Sequence, residues 1–411
     1  MTGRGTLRLA AALATAALGA VLYWSLRLAY ADVLSSRGDR ESVQRAVHLA
    51  PASSGYRARL SLLLDAEGDR AASTAALQDA LAASPLEAAP WIALGLRRET
   101  AGDFAGAEHC LLEAARLDRT YDPRWALANY YFRRTDWERF WFWARRAAEM
   151  APPDMRGLFR LCWNAPDGPV STLARAIPDR PEVWREYLAY LVQEGAGPPL
   201  ASLAAKMAAR PQPDDLPVLL DACDRLLATG DGAGALPVWN ALSARRLIPS
   251  GVLSPQQGRS LSNGGFSSPP TARGFDWRPA RVGGVSISRT IADPSLRVAF
   301  SGRQPELCEV LWQYLPLLPS TRYRLAFECR TSGMQAGAGL RWRVTSALEG
   351  GGTWAESADL GGENWSPGGV SFQTPPHPAL ARLALLYERR PGTTRIQGAA
   401  WLRGLKLGFG P

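Results

Sequence analysis

The sequence predicts a multi-domain chain that is α-helical first and β-stranded afterwards, with an N-terminal transmembrane helix, an α-solenoid of helical hairpins and a C-terminal antiparallel β-sandwich. Three patterns predict this fold class. An uncharged apolar run stands near the N-terminus, apolar residues then recur at every third and fourth position up to about residue 250, and a period of two follows beyond residue 270. With 411 residues, the chain is too long for one ordinary domain.

The net charge of +9 is concentrated in the C-terminal third of the chain. Residues 1–262 contain 30 basic and 28 acidic residues, whereas residues 263–411 contain 17 basic and 10 acidic residues. Lysine occurs only at Lys206 and Lys406, so nearly all of the positive charge is arginine. Because there is no run of five basic residues and no recognition motif, we expect no nucleic-acid partner.

The first element is a membrane anchor. From Leu9 to Leu26 the chain carries no charge over 18 residues, a length that spans about 27 Å as a helix and is just enough to cross a bilayer. Arg4 and Arg8 precede this run, and short positive flanks stay in the cytoplasm. Residues 1–31 are therefore predicted to form a cytoplasmic tip and a single-pass anchor in a bacterial inner membrane, with the bulk of the chain in the periplasm.

A cleaved signal peptide is the alternative interpretation of the same segment. Ala29-Tyr30-Ala31 has the small-x-small form that signal peptidase accepts, and cleavage there would release a secreted chain that begins at Asp32. Both interpretations export the rest of the protein. Counting back one repeat period from the hairpins below also predicts that the anchor helix continues into the first repeat helix.

A helical array follows over residues 32–154. Ala46, Ala80, Ala114 and Ala147 recur at intervals of 34, 34 and 33 residues. One unit carries Trp91-Ile92-Ala93-Leu94-Gly95 and, further on, Ala107 and Leu111. The small residues allow two helices to approach closely, and the large ones fill the gaps. Residues 155–250 are predicted to form degenerate helical hairpins.

This unit resembles the tetratricopeptide repeat in the spacing of its small and large residues. The resemblance implies a concave groove that binds a peptide or a protein partner. The densest aromatic segment lies in the next unit, where a helix that is apolar all round is buried on more than one side or presents aromatic anchors and arginines to a partner. The candidate partner-groove residues are Trp125, Tyr131, Arg134, Trp137 and Trp141.

A break in composition over residues 251–270 predicts a linker, and residues 263–411 are predicted to form the β-sandwich. Glycine, proline and serine clusters separate segments with a period of two, in which apolar and charged residues alternate. The predicted strands are Val285–Ile291, Leu296–Phe300, Leu307–Leu315, Tyr323–Arg330, Leu340–Val344, Val370–Gln373, Ala379–Glu388 and Ala399–Leu407.

The segments Asn263-Gly264-Gly265-Phe266, Phe275-Asp276-Trp277 and Gln313-Tyr314-Leu315-Pro316 resemble those of jelly-roll carbohydrate-binding modules and the wider galactose-binding-like folds. The resemblance implies a glycan ligand, with sugar rings stacked on indoles and hydroxyls held by polar side chains. Trp342 and Trp401 stand at alternating strand positions and are predicted to lie in the core. Trp354 and Trp365 stand beside glycines and are predicted to lie in loops.

The candidate glycan-binding residues combine these indoles with a polar turn that carries an arginine, an amide and a carboxylate. A turn stabilised by its own side chains is the alternative interpretation of that segment. A series of arginines along the strands favours an anionic glycan or is simply a solvated sheet face. The candidates are Trp277, Arg303, Gln304, Glu306, Trp354 and Trp365, and the arginines are Arg297, Arg322, Arg324, Arg341, Arg343 and Arg382.

No catalytic motif is present, and we expect no catalytic residue, metal or cofactor. The three histidines lie far apart, and the five cysteines include no C-x-x-C pair. Cys308 and Cys329 can form a disulfide across neighbouring strands if the compartment is oxidising. The sequence thus predicts a membrane-anchored scaffold that binds a protein partner and a glycan, in polysaccharide assembly or export. The alternatives are a hydrolase or lyase using Asp276 and Glu306, or a protein-binding scaffold with a purely structural sandwich.

Overall fold

A computed structural model describes residues 3–166, 168–195, 197–291, 293–335, 337–348, 352–377 and 379–410, with residues 3–12 and 379 described by their backbone alone. The chain divides into two compact units, residues 1–180 and residues 181–411. The described residues form fourteen α-helices followed by two five-stranded antiparallel sheets. This order confirms the predicted fold class.

The first unit begins with the long helix α1 (Gly3–Ser36). Its segment Leu13–Ser36 is long and apolar enough to cross a membrane, and none of its most apolar 18-residue window is buried. Beyond that window, Ala31 and Leu34 are buried against Ala46 of the next helix, α2 (Arg40–Leu49). The apolar helix therefore continues without a break into the helical array, as the repeat period predicts.

Three helical hairpins follow, in register with the predicted repeats. Each second helix begins at an aspartate, Asp69, Asp103 or Asp136, whose carboxylate accepts a hydrogen bond from the backbone N–H three residues later. Such a cap satisfies an N–H group that the helix itself leaves unpaired. The hairpins comprise α3 (Ser54–Ala66) with α4 (Arg70–Ala83), α5 (Ala88–Thr100) with α6 (Phe104–Leu117), and α7 (Tyr121–Arg133) with α8 (Trp137–Ala148).

Close approach of the two helices is visible at Gly95 in α5. A Cβ atom on this residue would lie 2.9 Å from Cγ of Leu111 and 3.2 Å from the carbonyl oxygen of Ala107, both in α6. Real Cβ atoms almost never come this near to a neighbour, so the site requires glycine. The unit ends with α9 (Arg156–Trp163), α10 (Gly168–Ser171) and a π-helical turn (Thr172–Ala176).

The second unit combines four helices with the β-sandwich. The helices are α11 (Pro181–Glu194), α12 (Gly197–Ala208), α13 (Leu216–Ala228) and α14 (Gly232–Ala244). Trp239 of α14 is buried and packs edge-on against the buried Phe275, with ring centroids 6.1 Å apart. Asp224 of α13 accepts hydrogen bonds from Arg273 and Arg278. These contacts join the last helices to the sandwich.

Residues 251–270, which the composition predicts to be a linker, make contacts at both ends. The side chain of Asn240 in α14 pairs with the backbone N–H and C=O of Leu253, both at 2.8 Å. Phe266 is fully buried in the sandwich core, where its ring packs against Trp277.

The sandwich strands lie in two sheets. The first sheet has the order β1-β4-β9-β6-β7 and the second has the order β2-β3-β10-β5-β8. All eight predicted strands are present, and the short strands β1 and β7 are added at sheet edges. The bounds are β1 (Arg278–Pro279), β2 (Val285–Thr290), β3 (Ser295–Ser301), β4 (Leu307–Leu317), β5 (Arg322–Ser332), β6 (Leu340–Ser346), β7 (Thr353–Glu356), β8 (Ser366–Gln373), β9 (Ala379–Glu388) and β10 (Gln397–Phe409).

The core lies between the inner faces of the two sheets. In β5 the inward residues Tyr323, Leu325 and Phe327 are buried, while Arg322 and Arg324 on the other face are exposed. This confirms the period of two, and burial of each large apolar side chain stabilises the fold by about 1.5–3 kcal/mol. Cys308 and Cys329 do not lie on neighbouring strands, since β4 and β5 belong to different sheets. Both thiols are free, so the disulfide that the sequence left open is not formed.

Candidate functional site

The outer face of the second sheet carries a row of large side chains across neighbouring strands. Trp401 in β10 pairs in register with Arg297 in β3 on one side and with Arg330 in β5 on the other. Trp365 directly precedes β8, whose first residue, Ser366, pairs with Cys329. Because side chains alternate between the two faces of a strand, these residues lie together on the face opposite the core.

Arginines stack on both indoles of this row. The Arg330 guanidinium carbon lies 4.4 Å from the ring centroid of Trp401 and 5.4 Å from that of Trp365. The Arg297 guanidinium lies 5.5 Å from the Trp401 ring, and the Arg403 guanidinium lies 4.1 Å from the Trp365 ring. Such cation–π contacts hold the five side chains in a fixed arrangement. We call these residues the tryptophan–arginine cluster.

The arginines of this cluster differ in their charge partners. Arg403 pairs with Glu328 at 2.6 Å and with Asp293 at 3.1 Å, and the hydrogen bond that it donates to Glu328 raises the pKa of Arg403 above its ordinary value. No carboxylate of the described residues lies within ion-pair distance of Arg297 or Arg330. The cluster therefore presents positive charge that the described residues do not neutralise.

Two of the predicted glycan-binding residues are instead core residues. Trp277 is fully buried between the sheets, and its indole N–H donates to the carbonyl of Asn263 at 3.1 Å. Gln304 is also fully buried, and its amide donates to the carbonyl of Ile396 at 2.8 Å. These two predictions are wrong, because neither side chain reaches the surface where a glycan would bind.

The other residues of the predicted polar turn lie at one end of the sandwich. Arg303 and Glu306 are exposed, and Glu306 lines a cavity of about 640 Å³ among the loops that follow β3, β5 and β9. Arg389 and Arg395 pair with Glu306 at 3.1 and 3.7 Å. The hydrogen bond from Arg389 lowers the pKa of Glu306 below its ordinary value. No indole lines this cavity, and its carboxylate is already neutralised.

The two remaining predicted glycan-binding tryptophans, Trp354 and Trp365, lie at different sheets of the sandwich. Trp365 lies in a loop, as predicted, and belongs to the tryptophan–arginine cluster. Trp354 lies in strand β7 rather than in a loop, and it packs on the core with its ring centroid 6.3 Å from that of Phe372. The structure thus brings Trp365 together with Trp401 and not with Trp354.

Trp401, Arg330 and Arg403 are the residues of this candidate site that the sequence interpretation missed, whereas Arg297 belongs to the arginine series that it named. Trp342 is buried as predicted, but Trp401 is half-buried and faces outward. In β10 the two neighbours of Trp401, Ala400 and Leu402, are buried, whereas Trp401 has the parity of Arg403. This parity with a charged residue is the signal in the sequence that could have placed Trp401 on the surface.

The two carboxylates considered for hydrolysis are not brought together at a surface cleft. Asp276 is fully buried and accepts hydrogen bonds from the backbone N–H and the hydroxyl of Thr271, at 2.8 and 2.9 Å. Glycosidases need a pair of carboxyl groups on either side of the scissile bond, one of them with a raised pKa. An enclosed Asp276 and an ion-paired Glu306 with a lowered pKa do not meet this need.

Two of the five predicted partner-groove residues are packing residues. Tyr131 and Trp141 are each 3% exposed. The hydroxyl of Tyr131 donates to Glu108 at 2.8 Å, and burial raises the pKa of Tyr131 well above its ordinary value. The Arg175 guanidinium lies 5.4 Å from the Trp141 ring. For these two residues the expectation of a groove surface is wrong, since both face neighbouring helices.

The other three groove residues reach the surface of the first unit. Trp125 is half-buried and stacks on Tyr121 at 6.0 Å, and Trp137 is half-buried against Phe132. Arg134 is exposed, and its guanidinium lies 3.8 Å from the centroid of the Phe104 ring. These three side chains are at least partly exposed within this unit, and such exposure is necessary for binding a partner.

Comparisons with known proteins give two kinds of similar structure. No protein-family model and no curated protein sequence matches the chain. A module from a structure described as "CBM4 structure and function" is 11% identical, with 37% of this chain and 100% of that chain covered and a TM-score of 0.30. The CBM22-1 xylan-binding domain of Paenibacillus barcinonensis Xyn10C is 14% identical, covering 36% and 91%, with a TM-score of 0.25.

The third similar structure is YrrB, a TPR protein with an unusual peptide-binding site. It is 13% identical, with 51% of this chain and 95% of that chain covered and a TM-score of 0.27. The similar structures thus include a tetratricopeptide-repeat protein and carbohydrate-binding modules.

Proposed function

We propose that this protein is a membrane-anchored scaffold whose sandwich binds a glycan and whose helical array binds a protein partner, without catalysing a reaction. The observation that carries the proposal is the tryptophan–arginine cluster on the outer face of the second sheet. It combines two half-buried indoles with guanidinium groups that have free hydrogen-bonding capacity. Apolar sugar faces pack on indoles, and sugar hydroxyls accept hydrogen bonds from arginine N–H groups.

The surroundings of the cluster suit an extended ligand. Ala299 lies diagonally beside Trp401 on the same face of the sheet, and Ser286 and Ser288 follow on the edge strand β2. These side chains are small, so they leave room for a chain of sugars along the face. Small-molecule binding sites usually combine aromatic side chains with a few polar groups, and the polar groups fix the orientation of the ligand.

The proposed location is a bacterial inner membrane, with the array and the sandwich in the periplasm. Arg4 and Arg8 precede the apolar helix, and short positive flanks remain on the cytoplasmic side. An anchored protein with a glycan-binding end and a partner-binding array fits a role in the assembly or export of an envelope polysaccharide. For the partner we propose the surface near Trp125, Arg134 and Trp137.

The proposal is tested with the full chain in detergent on a glycan array. We expect Trp401→Ala and Trp365→Ala each to weaken glycan binding by about tenfold or more, since truncation of a central aromatic anchor costs about 2 kcal/mol. Trp312→Ala is the matched control. Trp312 is also half-buried beneath an arginine, Arg382 at 4.0 Å, but it lies on the first sheet.

Equal binding by the wild type and by both cluster variants would show that this face is not the glycan site. Loss of binding in the Trp312→Ala control alone would move the site to the first sheet. If the wild type binds no glycan on the array, the glycan-binding function itself fails and protein partners remain to be tested.

A further inference from the structure

We infer that the ligand of the tryptophan–arginine cluster is an acidic glycan, whose carboxylates are bound by Arg297 and Arg330. This inference rests on the proposed function and specifies its substrate class. The argument starts from the charge partners of the arginines on the two sheets of the same sandwich.

Arginines on the first sheet are neutralised within the protein. Arg341 and Arg343 share the carboxylates of Glu356 and Glu388, and Arg382 pairs with Glu309. Composition alone therefore does not explain unpaired arginines in this domain, because the arginines in β1, β6 and β9 of the first sheet all have acidic partners.

The second sheet differs in this respect. Its outer face presents Arg297, Arg322, Arg324, Arg330 and Lys406, for which the described residues offer no ion pair. The carboxylates near the cluster, Glu328 and Asp293, are already engaged by Arg403. The face therefore carries a net positive charge, which attracts an anionic ligand. A neutral ligand would gain no such attraction and would still have to displace water from the arginines.

The geometry of stacking leaves these guanidinium groups ready to bind an anion. A guanidinium that contacts an indole through its planar face keeps its N–H groups free at the edges. Arg330 is held between two indoles, and its Nε is enclosed yet has no hydrogen-bond partner among the described residues. The enclosed Nε lies out of a ligand's reach, but the terminal nitrogens of Arg330 are not enclosed, so ligand oxygens can accept hydrogen bonds from them.

A carboxylate is the anion that best fits this arrangement. It accepts two parallel hydrogen bonds from one guanidinium, and such charge-assisted pairs are about twice as strong as neutral ones. Arg297 on β3 and Arg330 on β5 are separated by one strand, β10, which places their backbones about 10 Å apart. One extended polymer of uronic acid sugars can therefore contact both arginines while its apolar surface lies near Trp401.

The test uses the full chain in detergent and pairs of ligands that differ only in charge. Oligogalacturonate and hyaluronan oligosaccharides are each compared with their own methyl esters, which keep the sugar backbone and remove the negative charge. We expect at least one acidic oligosaccharide to bind, its methyl ester to bind about tenfold more weakly or worse, and the acidic form to weaken as NaCl is raised.

The variants Arg330→Gln and Arg297→Gln are each expected to reduce binding of the acidic form about tenfold and to abolish the difference between acid and ester. Arg281→Gln removes one positive charge from an exposed loop of the same domain and serves as the matched control. Unfolding midpoints of all variants distinguish a binding defect from a folding defect. If one of the two arginine variants misfolds, the other still tests the inference.

Equal binding of acid and ester, or binding of neutral glycans alone, overturns the inference and leaves the proposed glycan-binding function standing. Unchanged binding of the acidic oligosaccharide in both arginine variants also overturns the inference, because the cluster would then have only a packing role. The absence of binding to any acidic, esterified or neutral glycan overturns the proposed function itself.

Discussion

At the scale of single residues, Gly274 illustrates how the sandwich is joined to the last helices. Its backbone has a φ of +51°, which side chains rarely adopt, and a Cβ atom there would overlap ring carbons of Trp239. Trp239 is almost completely buried and cannot move aside. The site therefore combines a conformational and a packing requirement for glycine.

We predict that Gly274→Ala lowers the free energy of unfolding by about 2–4 kcal/mol, from backbone strain and overpacking together. Chemical denaturation followed by tryptophan fluorescence measures this loss. Gly283→Ala is the control, since Gly283 has no atom near its Cβ position and no positive φ. A Gly274→Ala variant as stable as the control would mean that Trp239 does not occupy this position.

Residue type alone does not decide the role of a tryptophan in this chain. Trp277, Trp342 and Trp401 all stand near or in predicted strands, yet the first two are fully buried and the third faces outward. The role of each tryptophan depends on the face of the strand on which its side chain lies, and on which loop segment enters the core between the two sheets. Parity can be read from neighbouring charged residues, but the crossing of Trp277 into the core cannot.

At the scale of elements, Glu356 ties the edge strand β7 to the first sheet. It pairs with Arg341 and Arg343 of β6, and Arg341 is only 4% exposed. Burial by itself would raise the pKa of Glu356, but hydrogen bonds from the two arginines outweigh it and lower the pKa below its ordinary value of 4.5. The ionised form is therefore favoured in the folded state.

The sign of the resulting pH dependence follows from linkage. A lowered folded-state pKa stabilises the protein above pH 4.5, and this contribution is lost as the pH falls through the lower folded-state pKa. We predict that Glu356→Gln destabilises the protein near pH 7 by about 1–3 kcal/mol, since a buried arginine loses an ionised partner.

Glu356→Gln should also make the acid decline in stability shallower, because one carboxylate no longer contributes to it. Unfolding midpoints measured from pH 7 down to pH 3 check both statements. Glu363→Gln is the control, since Glu363 is exposed in the loop before β8 and makes no ion pair with the described residues. Parallel pH profiles for the wild type and Glu356→Gln would contradict the prediction.

At the scale of the whole molecule, the apolar helix α1 is continuous with the helical array. Helix α1 is continuous to Ser36, and Tyr56 donates a hydrogen bond to Asp32 just beyond the apolar run. Ala31 and Leu34 are buried in the same place. The helix thus contributes its last turns to the array, which favours an uncleaved anchor over a removable leader.

We predict that the full-length protein keeps its N-terminus and stays in the membrane after a carbonate wash. Intact mass should correspond to 44.5 kDa. Leu18→Arg combined with Leu22→Arg should move protein out of the membrane fraction, because each arginine at the centre of a span costs about 2.5–3.5 kcal/mol. Leu62→Arg, an exposed position in α3, is the control.

A mature N-terminus at Asp32 would contradict the anchor and support the secreted alternative. Protease added to spheroplasts should digest the sandwich if the bulk of the chain is periplasmic. Protection of the sandwich in intact spheroplasts, with digestion only after lysis, would instead place it in the cytoplasm.

The sequence by itself determined the order of apolar helix, helical array and sandwich, the hairpin register and the eight main strands. Those features follow from local periodicity, because the apolar face of each helix or strand repeats along the chain at 3.6 or 2 residues. The contact between Gly95 and Leu111 shows that the spacing of small and large residues along the sequence can also predict a close approach of two helices.

Only the tertiary structure decided which residues share a surface. It placed Gln304 and Trp277 in the core and assembled Trp401, Trp365, Arg330, Arg297 and Arg403 from strands up to about a hundred residues apart. Strand order and register arise from long-range pairing, which local patterns do not encode. The same pairing gave acidic partners to the arginines of the first sheet and left Arg297 and Arg330 of the second sheet without an ion pair among the described residues.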